Sequence, residues 1–202
     1  MPESRGFYTQ MRAVLRERLL DAAAALICAD GWSAVTMARV ADEVGVSRQS
    51  VYKEIGSKTA LGEAVIARET ERVLDGVIGR LREHGTDAAA GIPAAADYVL
   101  RTGAGNPLIK AILVGAAGGD ELLPLLAGRP DPVLGRAIAV VRAEARARYG
   151  GLPLTAGTID RVSEIVVRLT LSHLMQPTGP IDEAVAQVRA LVQAVLGQPA
   201  AR

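Results

Sequence analysis

Apolar residues along this chain recur at intervals of three and four, and no stretch alternates apolar with polar for the length of a strand. Val14, Leu15, Leu19, Ala22, Ala23, Leu26 and Ile27 form one helical stripe near the start. Ile159, Val162, Val166 and Leu169 form a second, and Ile181, Val185, Val188, Val192 and Val195 form a third. Glycine and proline punctuate the chain at Asp30-Gly31, Gly45, Gly56, Gly85-Thr86, Gly103 to Pro107, Gly118-Gly119, Gly128 to Pro132, Gly150 to Pro153 and Pro177 to Pro180. These breaks divide it into about ten helices joined by short loops. The pattern predicts an all-α fold.

Helix length changes along the chain. After the first helix and before residue 60, only roughly eight residues separate the breaks. Residues 58 to 83, by contrast, read as one long helix capped by Ser57. That helix is a natural connector between a small head, residues 1–57, and a larger helical body, residues 58–202. Pro93, Pro107, Pro124 and several glycines interrupt residues 86 to 128, so short, bent or irregular helices with cavities between them are expected there.

The segment TMARVADEVGVSRQSVYKEIGSK, residues 36 to 58, departs from the core-building pattern. Thr36 is suited to cap a helix from Met37 to Val44 that buries Met37, Val40, Ala41 and Val44 and leaves Arg39, Asp42 and Glu43 in water. Gly45 ends it, because the left-handed C-cap conformation costs glycine least. Ser47 then caps a second helix that buries only Val51 and Ile55. Arg48, Gln49, Tyr52 and Lys53 share its opposite face. A helix with so little core and so many long hydrogen-bonding side chains is a probe, and helix, glycine turn, polar helix is the helix-turn-helix pattern. Arg48 suits guanine O6 and N7, and Gln49 suits adenine N6 and N7. Ser50, beside them on the same helix, is a further candidate DNA contact. Tyr52 and Lys53 reach far enough for phosphate, while Thr36 and Lys58 stand at helix N-termini, where backbone N–H groups favour an anion.

The first 65 residues resemble the DNA-binding domain of the TetR family of bacterial transcriptional repressors. The resemblance rests on RERLLDAAAALICADGW (16 to 32), VTMARVADEVGVSRQSVY (35 to 52) and GSKTAL (56 to 61). It implies a three-helix DNA-binding head, a long fourth helix leading to a ligand-binding body, and a homodimer on a near-palindromic operator in double-stranded DNA. It also implies that Thr36, Tyr52 and Lys58 contact the DNA backbone. Ile27 and Ile55 stand where this family often has phenylalanine.

The body offers fewer signals. Tyr98, Arg101 and Lys110 fall in its irregular middle, and His173 lies on the Val162, Val166, Leu169 face of its helix. Tyr98, Arg101 and His173 are the candidate ligand contacts, each with an alternative: a surface position for the first two, a satisfied buried side chain for the histidine. After residue 60 the aromatic residues are Tyr98 and Tyr149, so an aliphatic, flexible effector such as an acyl chain or terpenoid fits better than a planar one held by stacking. The two terminal stripes suit either the core of one subunit or a four-helix dimer interface, and the resemblance favours a homodimer through the last two helices.

Charge neither announces nor forbids a nucleic-acid partner, since the net charge is +1. Placement matters more, and two of the three lysines, Lys53 and Lys58, lie within the first 58 residues. No apolar run approaches the roughly 20 residues of a membrane span, and Asp21 interrupts LLDAAAALICA, which otherwise mimics a signal peptide. A single cysteine, Cys28, cannot form an internal disulfide; it reads as a small core residue in a reducing, cytoplasmic protein. His84 and His173 stand far apart in sequence, and no GxSxG, HExxH, P-loop or GxGxxG pattern occurs. No catalytic group, metal site or cofactor is expected. The alternative to a ligand-controlled repressor is a helical DNA binder without an effector.

Overall fold

The computed structural model describes residues 3–111, 133–152 and 154–196, with side chains from Tyr8 onward. Every regular element among the described residues is helical, and eight helices lie wholly within them: α1 (Glu3–Asp30), α2 (Met37–Val44), α3 (Arg48–Ile55), α4 (Lys58–Glu83), α5 (Ala88–Gly105), α6 (Leu134–Tyr149), α7 (Ala156–Met175) and α8 (Ile181–Leu196). The all-α expectation holds, and the local signals explain the boundaries. Gly31, Gly45, Gly56 and Gly85 take positive φ where α1 to α4 end. Ser57 Oγ accepts from the Ala60 amide at 3.0 Å to start α4.

The described residues form two compact units, and the division falls inside α4, between Glu69 and Thr70. In the first unit Leu19, Ala23 and Ile27 of α1, Val40 of α2, Val51 of α3 and Leu61 and Val65 of α4 are all almost fully buried. Ile27 and Ile55 are buried too, so aliphatic side chains serve where an aromatic ring was the alternative. Cys28 is an exception to the expected core. It is exposed, because it follows Ile27 by one residue and a helix turns it about 100° away from the buried stripe.

The second unit is built around α5, which packs on α8 and α7, while α6 packs on α7. Ala96, Val166, Val188 and Val192 form one apolar cluster. Val77, Leu81, Ala95, Ala145, Tyr149 and Ile159 form another. One sequence expectation is corrected here. The stretch beginning at residue 86 was expected to be broken at Pro93, yet α5 runs for 18 residues through it. Pro93 is fully buried, so packing on both sides outweighs the one backbone hydrogen bond a proline forgoes. The terminal stripes are spent inside the subunit, since Val166, Val188 and Val192 pack against Ala96. Expectations for residues 112–132 lie outside the described residues.

Ion pairs tie α6 to its neighbours. Arg136 grips Glu71 of α4 with two bonds, at 2.6 and 2.9 Å, and Arg146 makes a similar fork on Asp160 of α7. The guanidinium hydrogen bonds hold both carboxyls below their usual range.

Two glycines of α4 make a matched test. A Cβ at Gly76 would meet the Tyr98 hydroxyl at 2.1 Å, whereas at Gly79 nothing lies within 4 Å. Gly76→Ala should destabilise by about 1–3 kcal/mol through overpacking, and Gly79→Ala should stabilise by about 0.5–1 kcal/mol by helix propensity. Denaturant melts of the two variants check the opposite signs.

Candidate nucleic-acid interface

The turn between α2 and α3 is closed by backbone hydrogen bonds. Gly45 sits at φ 75°, its amide donating to the Asp42 carbonyl at 3.2 Å, and the Val46 amide donates to Ala41 at 3.0 Å. This is the Schellman pattern, and it requires the left-handed residue that glycine supplies. At either end a hydroxyl caps a helix: Thr36 Oγ1 accepts from the Arg39 amide, and Ser47 Oγ from the Ser50 amide, each at 3.1 Å. The chain therefore leaves α2 and enters α3 in one fixed direction.

That direction buries Val51 and Ile55 and exposes Arg48, Gln49, Tyr52 and Lys53. Tyr52 is 45% exposed, a high value for an aromatic residue, and the Arg48 guanidinium lies 5.9 Å from its ring centre. The two side chains brace each other at the outer surface. Ser50 is turned inward by comparison, half-buried, with its hydroxyl 2.9 Å from that of Ser47. Thr36 is exposed, and capping uses its oxygen as an acceptor, which leaves its O–H to donate. Lys58 lies over the Trp32 ring at 4.8 Å and donates to the Ser33 carbonyl at 3.3 Å. Its ammonium is thus held against the loop that follows α1.

The sequence reading passed over three residues that hold this surface. Arg18 donates to the Val44 carbonyl at 3.1 Å, Arg16 to the Glu54 carbonyl at 3.3 Å, and Arg12 Nε to the Glu54 carboxylate at 2.9 Å. Arginines of α1 thereby satisfy the C-terminal carbonyls of α2 and α3, where the helix dipole also favours a cation. Their clustering on α1, with Arg12 and Arg16 four apart, was visible, but their partners are 26 to 42 residues away.

In the second unit a small cavity of about 30 Å³ lies among Ala88, Ile92, Tyr149, Leu154, Ile159 and Val192. Its walls are almost wholly apolar. The Tyr149 hydroxyl is buried without a hydrogen-bond partner, and burial pushes its pKa up. The three residues expected to meet a ligand lie elsewhere. Tyr98 packs against Gly76 with Arg80 over its ring, Arg101 is engaged by Asp97 and Asp182, and His173 Nε2 lies 3.2 Å from Gln187. Tyr149, noted in the sequence only as one of few aromatics, is the residue the structure brings to the cavity. Among the described residues no cluster of side chains could hold a metal ion, and no helix is long and apolar enough to cross a membrane.

Comparison with known proteins agrees with this geometry. Residues 19–65 match the bacterial regulatory proteins of the tetR family, and residues 87–194 match the C-terminal domain of the bacterial tetracyclin repressor. The chain belongs to the TetR family. Its similarity to the HTH-type transcriptional regulator AlkX of Mycobacterium tuberculosis is 30% identity over 186 residues, covering 90% of this chain and 84% of that one. The crystal structure of the TetR-family repressor AlkX from Dietzia sp. strain DQ12-45-1b shares the fold, with a TM-score of 0.70 at 23% identity over 89% of this chain and 94% of that one. So does a TetR-family regulator from Pectobacterium atrosepticum, with a TM-score of 0.71 at 15% identity over 94% and 98%. This TetR-family chain is a DNA-binding transcriptional regulator and not an enzyme.

Base and phosphate contacts separate by experiment. Arg48→Ala should relax base preference at one position of the recognised sequence, at a cost of about 1–3 kcal/mol on the preferred sequence only. Lys58→Ala should weaken all sequences alike and lower the salt slope of binding by about one. Binding measured across operator variants and salt concentrations distinguishes the two.

Proposed function

We propose that this regulator is a ligand-released repressor that binds a near-palindromic operator as a homodimer. The observation that carries the DNA half is the exposed face of α3, with Arg48, Gln49 and Tyr52 outward on a helix whose entry is fixed by Gly45 and Ser47. A helix this short reads few bases. Two heads about 34–36 Å apart would read successive major grooves, and a dimer supplies them. Since the inner stripes of α7 and α8 are consumed within the subunit, their outer faces are the proposed dimer surface: Ile165 at 47% exposure and Met175 on α7, and Ala186, Ala190 and Ala194 on α8. Small residues at that spacing let two helices approach closely.

The effector proposed is apolar. The cavity walls are aliphatic, and the Dietzia repressor is implicated in biodegradation of n-alkanes, which is a chemistry of aliphatic compounds. Binding that favours a conformation with unsuitably spaced heads would shift the population off DNA, by no more than the ligand's differential affinity for the two states. The long helix α4, common to both units, would carry the displacement.

Footprinting at stated salt should protect one palindromic segment, and protection that spreads without sequence preference would defeat the repressor reading. In thermal-shift assays at saturating probe, dodecanol or dodecanoic acid should raise the melting temperature by about 5 °C or more, while sugars and amino acids leave it unchanged.

A further inference from the structure

α1 carries two pairs of charged residues at i, i+4 spacing on adjacent faces. One pair is basic, Arg12 and Arg16, and meets Glu54 at the end of α3 through its carboxylate and its carbonyl. The other is acidic, Glu17 and Asp21, and both carboxylates accept from Nη1 of Arg68 on α4, at 3.1 and 2.8 Å. The Glu17 carbonyl accepts from the same nitrogen at 3.4 Å. Arg16 and Glu17 are neighbours, so the two grips adjoin on the same helix. The Arg68 side chain is only 11% exposed and its Nε is buried without a partner. A guanidinium so placed has no room to follow α4 without pulling on its carboxylates.

We infer that α1 is the transmission element of the head: Arg68 sets α1 against α4, and Arg12 and Arg16 set α3 against α1. Arg12, Arg16 and Arg68 are positioning residues, which touch no base yet fix the pose in which Arg48 and Gln49 are presented. Displacement of α4 reaches α3 through this chain of charge-assisted bonds. The role in DNA recognition rests on the function proposed above. The mechanical linkage does not.

The test uses the full chain and a readout that needs no DNA. Glu17→Gln with Asp21→Asn removes the two carboxylates from Arg68 at exposed positions, so folding should persist. Arg16→Met removes the grip on α3 directly. Hydrogen exchange at the amides of Tyr52 to Ile55 should quicken about tenfold in both variants, although Glu17 and Asp21 bond Arg68 rather than α3. Arg16→Lys should recover part of the protection. Unchanged α3 exchange in the Glu17→Gln, Asp21→Asn variant overturns the linkage, and so does a uniform rise across residues 19–65, which would mean general loosening. On operator DNA the same variant should bind about five- to tenfold more weakly, with base preference and salt slope preserved because no DNA contact is lost. An altered salt slope would make these carboxylates part of the DNA surface instead. A wild-type chain that protects no DNA would sink the repressor reading while leaving the exchange result decisive.

Discussion

An eight-residue helix with two buried side chains cannot hold itself in place. Nucleating a helix is unfavourable and a segment of two turns gains too few backbone bonds to offset it, so α3 exists because its surroundings fix both its ends. Ser47 and the left-handed Gly45 fix the start. Val51 and Ile55 fix the inner face, and arginines of α1 fix the end. Recognition of DNA needs the outer face to stay polar, which removes any possibility of anchoring the helix by more core. The functional requirement and the stability requirement therefore fall on opposite sides of one short element, and the neighbouring helices must supply what it lacks.

The second unit solves a different problem. Its helices are long and its apolar clusters aliphatic, with α5 central and polar groups few enough that Tyr149 is left with a buried hydroxyl and no partner. Leaving such a group unpaired costs stability in the absence of a ligand. Its surface is laced instead with arginine–carboxylate pairs, among them Arg142 with Glu164 and Arg136 with Glu71. Because both partners of each pair are partly exposed, these bonds orient α6 against α7 and α4 more than they stabilise the fold.

How much was legible follows from the range of each interaction. Thr36, Gly45 and Ser47 announced their roles because capping and left-handed turns involve residues within a few positions of one another. The exposed polar set of α3, Arg48, Gln49, Tyr52 and Lys53, followed from helical period alone. Ser50 shows the limit of that reasoning, since its hydroxyl lies against the cap of its own helix. Pro93 shows another: a residue that breaks isolated helices sits in the middle of α5, because the chain around it is packed on other helices.

What the chain's order of residues determined by itself is the set of helices, their caps and which side of α3 is polar, since each is settled by contacts a few residues apart. What only the tertiary structure decided is which apolar faces meet. It turned the stripes of α7 and α8 inward and left Cys28 in water. It also gave Arg12, Arg16, Arg18 and Arg68 partners 26 to 51 residues away in sequence. An arginine's reach and charge are local properties. The carbonyl or carboxylate that it satisfies is chosen by how helices pack, and the residues beside it in the chain carry no record of that.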